Sequence, residues 1–209
     1  VDELRHQVED SGTRLLVTLD AAQLLPTALQ VLDSSPLERL VVGSLAGVLP
    51  RGKTLLFSLF RRSEIADRPD DPRITAFSRM IRNEGGCPLP DLDPCRDIAL
   101  LQYTGGTTGT PKGAMLTHQN LTANARQVEA VDPHAGKRDV IVGVLPLFHV
   151  FANARVLNRT VCNGGSIAML PRFNAEQTLA GIARGKGTAL PGVPTMYQAP
   201  LARPEITRT

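Results

Sequence analysis

Apolar positions along residues 1–45 fall in short blocks separated by polar stretches. Asp2 to Glu9 is polar and helix-compatible, and Ser11-Gly12 is a stop signal. Leu15-Leu16-Val17 has the pattern of a short buried strand. Ala21 to Leu32 reads as a helix with Asp20 as a cap, although Pro26 weakens that reading or moves the start later. Leu40-Val41-Val42 reads as the next strand. Helix, strand, helix, strand is the rhythm of a parallel α/β sheet.

The rhythm breaks between residues 50 and 96. A short apolar-then-basic segment (Leu55 to Arg62) is followed by Arg68-Pro69-Asp70-Asp71-Pro72, an expected helix at Ile74–Asn83, Gly85-Gly86-Cys87-Pro88-Leu89-Pro90 and Asp93-Pro94. Such a density of Pro, Gly and Asp marks loops and a subdomain junction. From Asp97 the rhythm returns. Strands are expected at Ile98–Tyr103, Gly113–Leu116, Asp139–Leu145 and Ser166–Leu170, and helices at Asn120–Val131, Phe148–Val161 and Ala175–Arg184. The expected fold is α/β, strands alternating with helices. Residues 1–96 form a first portion with its Pro/Gly-rich junction near 63–96, and residues 97–209 a second. The start without Met and the end just after Pro191-Gly192-Val193-Pro194 suggest a section of a longer protein.

Composition narrows the class. The chain has 209 residues, 42% hydrophobic and 21% charged, as in a folded domain rather than a disordered one. No apolar run approaches the roughly 18 residues that span a bilayer. A net charge of +3 is too diffuse to argue for nucleic acid. Three cysteines without metal-ligand spacing read as cytosolic thiols.

Two segments compete as phosphate loops. Gly47-Val48-Leu49-Pro50-Arg51-Gly52-Lys53-Thr54 matches the Walker A pattern. That loop needs a strand running directly into its first Gly, yet Gly43-Ser44-Leu45-Ala46 intervenes. Val48 and Leu49 are also bulky where backbone must close around an anion, and no Walker B strand follows. The second segment, Tyr103-Thr104-Gly105-Gly106-Thr107-Thr108-Gly109-Thr110-Pro111-Lys112-Gly113, directly follows a strand. Gly105, Gly106 and Gly109 free the backbone to turn its N–H groups inward. Thr104, Thr107, Thr108 and Thr110 add hydroxyls, and Lys112 adds a full positive charge. A flexible polar hairpin needs none of these; a tripolyphosphate needs them all.

Leu101 to Leu121, LQYTGGTTGTPKGAMLTHQNL, resembles the signature of the adenylate-forming (AMP-binding) superfamily, and within it most resembles long-chain fatty-acid–CoA ligases. Pro146-Leu147-Phe148-His149-Val150-Phe151-Ala152 and Pro191-Gly192-Val193-Pro194-Thr195-Met196-Tyr197 resemble two further segments of those ligases. The family's YGxTE motif, ribose-binding aspartate, hinge and C-terminal domain with its catalytic lysine do not occur here. The chain therefore resembles an internal part of the large N-terminal domain, inactive by itself.

The resemblance implies an ATP-dependent ligase that adenylates a fatty acid and passes the acyl group to coenzyme A. Thr104 to Lys112 would hold the β- and γ-phosphates, and Thr104 would approach Mg²⁺. His149 would bind or gate at the wall between acyl group and nucleotide. For Lys112 the plain alternative is a surface lysine in a salt bridge; for His149, a histidine satisfied by backbone in a core turn. His118 is expected to be structural and Tyr103 to pack the strand end, with His6 and His134 solvated. Lys53 to Arg62 reads either as a peripheral contact at the inner membrane surface or, preferably, as a half-buried surface helix with snorkelling arginines. The expected location is cytoplasmic. Rival readings are a P-loop NTPase using Gly47–Thr54, a ligase for aryl, short-chain or amino acids, and a non-catalytic remnant.

Overall fold

The computed structural model describes residues 1–49, 54, 57, 60–104, 111–132 and 137–201. It separates into two compact units, Val1–Pro90 and Asp91–Thr209.

In the first unit, helix α1 (Asp2–Ser11) ends at Gly12, whose φ of 62° is the left-handed conformation that glycine adopts most easily. Strands β1 (Leu15–Leu19), β2 (Arg39–Gly43) and β3 (Ile74–Ala76) form one parallel sheet in that order, with Leu16 opposite Leu40 and Leu40 opposite Ile74. Helix α2 (Leu25–Ser34) begins later than Ala21 because Pro26 sits in its first turn, where no backbone N–H is needed. Leu25, Ala28, Val31 and Leu32 share one face of α2 and pack with Val8, Leu37, Leu40 and Val42 into the core.

The helix expected at Ile74–Asn83 is corrected. Ile74-Thr75-Ala76 pairs with the open edge of β2, and only Phe77–Met80 is helical (α3). The β-branched Ile74 and Thr75 suit a strand, and the hydrogen bonds offered by β2 decide between the alternatives. Arg73 secures this crossing by donating to the Leu32 carbonyl at 3.2 Å and to the Asp33 carboxylate at 2.6 Å, at the end of α2.

In the second unit, β4 (Ile98–Thr104) and β5 (Lys112–Thr117) pair antiparallel. Helix α4 (His118–Ala130) starts in a capping box. Asn120 N–H donates to Thr117 Oγ1 at 3.2 Å, and Thr117 N–H donates to Asn120 Oδ1 at 3.0 Å. Strand β6 (Val140–Gly143) pairs in parallel with β7 (Ser166–Met169), and Ile141 bridges to Ala189 on its other side. Both faces of β6 are covered. Ile141 packs with Ala152 and Val156, whereas Val142 packs with Val144 and Met196, as alternation along a central strand requires.

A continuous helical run, α5, links β6 to β7. It consists of Val150–Ala152, a π-helical stretch Asn153–Asn158 and Arg159–Asn163. Gly164 closes it with φ 69°, and Gly165 follows where a Cβ would lie 2.4 Å from the Asp139 carbonyl oxygen. Helices α6 (Ala175–Gly185) and α7 (Pro194–Leu201) complete the unit.

Candidate nucleotide and acyl site

The site is assembled within the second unit from the β4–β5 hairpin and the turn that enters α5. Thr104 and Lys112 are the last directly opposed pair of the hairpin, and Thr104 Oγ1 lies 3.4 Å from the Lys112 carbonyl. Directly opposed residues project to the same face, so Thr104 and Lys112 flank the mouth of the Gly/Thr loop together. Both are exposed. Gly105, Gly106, Thr107, Thr108, Gly109 and Thr110 lie outside the described residues. Among the described residues, no carboxylate forms a salt bridge with Lys112.

Gln102 lies two positions before Thr104 and therefore on the same face. Its Nε2 donates to the Phe148 carbonyl at 2.9 Å. The hairpin face bearing Thr104 and Lys112 is thereby tied to the turn that carries His149. On the opposite face, the Tyr103 ring covers Gly113, where an added Cβ would come within 3.2 Å of it.

His149 is the residue before α5, with extended backbone (φ −78°, ψ 132°). Its N–H donates to the Pro146 carbonyl at 3.0 Å, and its own carbonyl accepts from Asn153 N–H at 2.9 Å. These bonds use backbone only. The imidazole is exposed, does not cap the helix, and its ring centroid is 6.2 Å from that of Phe148.

The two later signature segments meet. A cavity of about 200 Å³ is lined by Phe151 and Arg155 of α5 and by Leu190, Gly192 and Tyr197, with Arg159 at its edge. Tyr197 is held there by its hydroxyl, which donates to the Leu190 carbonyl at 2.8 Å.

Sequence reasoning missed the anchor of α5. The Arg159 side chain, only 3% exposed, lies 3.0 Å from Glu129, 3.0 Å from Asp132 and 2.7 Å from Asp139. The Nε and Nη2 contacts are ion pairs by distance rather than aligned hydrogen bonds. Burial works against charge on Asp139, but a hydrogen bond from Thr188 (2.7 Å), the Arg159 guanidinium and Asn163 outweigh it. They hold the carboxyl below the usual aspartate range. The sequence offered little signal, because Arg159 stands between the polar Asn158 and Thr160.

The rival Walker-like segment lacks its context. Strand β2 ends at Gly43, and Ala46–Val48 is a 3₁₀ turn. Gly47 N–H is spent on Ser44, at 3.1 Å from its carbonyl and 3.2 Å from its hydroxyl. The Thr54 hydroxyl donates to the Leu49 carbonyl at 3.0 Å and lies 3.2 Å from that of Ala46. Pro50 to Lys53 lie outside the described residues, as do Leu55, Leu56, Ser58 and Leu59 of the apolar segment. Arg61 and Arg62 are paired with Glu64 and Asp67. Among the described residues, no helix is long and apolar enough to cross a membrane. His118 is the first residue of α4, a structural position, whereas His6 is half-buried with its Nε2 unpaired rather than solvated. His134 lies outside the described residues.

A sequence model of the family described as AMP-binding enzyme matches residues 1–208. The chain belongs to the AMP-binding enzyme family. A long-chain-fatty-acid–CoA ligase of Bacillus subtilis is 36% identical over 209 residues, covering 98% of this chain and 37% of that protein. A long-chain-fatty-acid–CoA ligase from Archaeoglobus fulgidus has a similar structure, with TM-score 0.62 and 30% identity over 95% of this chain and 34% of that one. ATP-bound MatB from Rhodopseudomonas palustris gives TM-score 0.63 at 25% identity, covering 97% of this chain and 34% of that one. The α/β fold expected from the sequence is thus that of this family's members. The chain spans little more than a third of the length of these relatives.

Proposed function

We propose that this chain is part of an ATP-dependent long-chain fatty-acid–CoA ligase and supplies its phosphate loop and part of its acyl wall. The observation that carries the reading is the tie from Gln102 to Phe148, which sets the Thr104/Lys112 face beside the His149 turn. A carboxylate must approach a triphosphate, so the protein has to neutralise charge and hold both reactants in line.

In the first half-reaction, a fatty-acid carboxylate oxygen attacks the α-phosphorus of ATP, and the bond to pyrophosphate breaks. Lys112 and the hydroxyls and N–H groups of Thr104 to Thr110 hold the β- and γ-phosphates that leave. In the second, the coenzyme A thiolate attacks the acyl carbonyl carbon and AMP departs. His149, exposed at the entry to α5, donates to an acyl or phosphate oxygen from the positive end of that helix. Phe151 and Tyr197 offer apolar surface to the acyl group.

Among the described residues, no group of three or more His, Cys, Asp or Glu could hold a metal ion. Thr104 offers one neutral oxygen, which fits Mg²⁺ only as a partner to phosphate oxygens. When bound, the ion would neutralise developing phosphate charge.

The test is thioester formation from palmitate, ATP and coenzyme A by the full-length protein beside the 209-residue chain. The full-length protein turns over, and the chain alone gives background. In the full-length protein, Thr107→Ala with Thr108→Ala slows acyl-AMP formation more than it weakens fatty-acid binding. Unchanged adenylation in the double variant would overturn the assignment of the loop.

A further inference from the structure

Helix α5 is restrained at both ends. At its C-terminal part, Arg159 is fixed by three carboxylates: Glu129 and Asp132 on and just after α4, and Asp139 just before β6. At its entry, Gln102 holds the Phe148 carbonyl. The number of residues between these points is set by the sequence, so the helix has to meet both restraints with whatever register it can reach.

It does so through a π turn. Single π turns inside helices are rare and are frequent at functional sites. Here the turn spans Asn153–Asn158, and Asn158 Nδ2 donates to Asn153 Oδ1 at 2.8 Å. A bond between residues five apart belongs to this geometry. In an α-helix, positions i and i+5 are turned about 140° from each other and do not meet. Asn153 in turn donates its N–H to the His149 carbonyl at 2.9 Å.

We propose that Asn158 is a positioning residue for His149, acting through Asn153 and the π turn. If the turn relaxed to α-helix while Arg159 stayed fixed, each residue of register change would rotate the N-terminal end by about 100°. His149 would then leave the hairpin face that carries Thr104 and Lys112. The inference rests on the reading of His149 as an acyl or phosphate contact. A π turn serving packing alone would make Asn158 matter for stability and not for the action of His149.

A double-mutant cycle on the full-length protein separates these cases, read as fatty-acid-dependent exchange of pyrophosphate into ATP at a temperature where all variants are folded. Asn158→Leu is expected to slow exchange about tenfold, since a displacement of about 1 Å is costly at a reacting centre. KM for ATP should stay the same. Asn158→Asp, which can still accept from a flipped Asn153 amide, should retain the rate. In a His149→Ala background, Asn158→Leu should change the rate by less than about twofold. Asn153→Leu removes the same bond from its other end and replaces Asn158→Leu if that variant does not fold. An equal loss in both backgrounds, or no loss from Asn158→Leu, overturns the positioning role. A silent His149→Ala overturns the His149 assignment itself, and the positioning role with it.

Discussion

The side-chain amide of Gln102 donates to the carbonyl of Phe148 at 2.9 Å, joining two segments that lie far apart in sequence. Gln102 belongs to the strand that leads into the Gly/Thr loop, and Phe148 precedes His149. One hydrogen bond therefore couples the hairpin face bearing Thr104 and Lys112, proposed to hold phosphate, to the turn that carries His149, proposed to face the acyl group. A net contribution of about 1 kcal/mol is usual for such a bond, small against the effect of misplacing a reacting group. Gln102→Leu in the full-length protein should lower adenylation about tenfold, while urea denaturation shows a loss of about 1 kcal/mol. Unchanged adenylation with the same stability loss would mean that the tie is only structural.

Arg159 forms ion pairs with Glu129, Asp132 and Asp139. Its removal takes a buried guanidinium away from three carboxylates at once. Arg159→Leu should cost about 3–5 kcal/mol in urea denaturation, the usual penalty for orphaning a buried charge partner. A loss under about 1 kcal/mol, typical of exposed pairs, would show that the cluster is open to water.

The same cluster sets an acid limit. The Asp139 carboxyl is held below its ordinary value of 3.8, so the unfolded chain takes up this proton more readily than the folded one. The stabilisation is fully present above the unfolded value and is lost as pH falls through the lower, folded one. Stability between about pH 5 and pH 3 should therefore fall less steeply in Asp139→Asn than in the wild type, as read by urea denaturation at each pH. Parallel slopes would remove Asp139 as a source of the acid sensitivity.

Gly165 joins α5 to β7 where an added Cβ would lie 2.4 Å from the Asp139 carbonyl oxygen. The obstacle is backbone and cannot swing aside. Gly165→Ala should destabilise the second unit by about 1–3 kcal/mol, the range for forced overpacking. Wild-type stability would mean that the β6–β7 corner is looser than the structure describes.

Much of this architecture was legible in the chain. The apolar runs at Leu15, Leu40, Ile98, Val140 and Ser166 became strands, each paired with a neighbour, and Gly12 and Pro26 marked real helix boundaries. Ile74 to Ala76 was misread because its fate depends on the free edge of β2, a partner more than 30 residues away that no local pattern reveals. The loop signature pointed to Thr104 and Lys112, which pairing then placed side by side. Gln102 and Asn158 gave no local sign, since each makes its key contact through one long-range or off-register bond. Arg159, flanked by Asn158 and Thr160, gave no local sign of burial, and its three partners come from elements that only the fold gathers.

Two lysines sit in two phosphate-loop patterns, and in the proposed site Lys112, not Lys53, holds the phosphates. The direct measurement is fatty-acid-dependent exchange of labelled pyrophosphate into ATP by the full-length protein, with each lysine replaced by alanine. Lys112→Ala should reduce exchange about 100-fold, as expected for a lost positioned charge, and Lys53→Ala should leave it at the wild-type rate. Exchange that survives Lys112→Ala and disappears with Lys53→Ala would contradict the assignment and return the nucleotide to the segment at Gly47–Thr54.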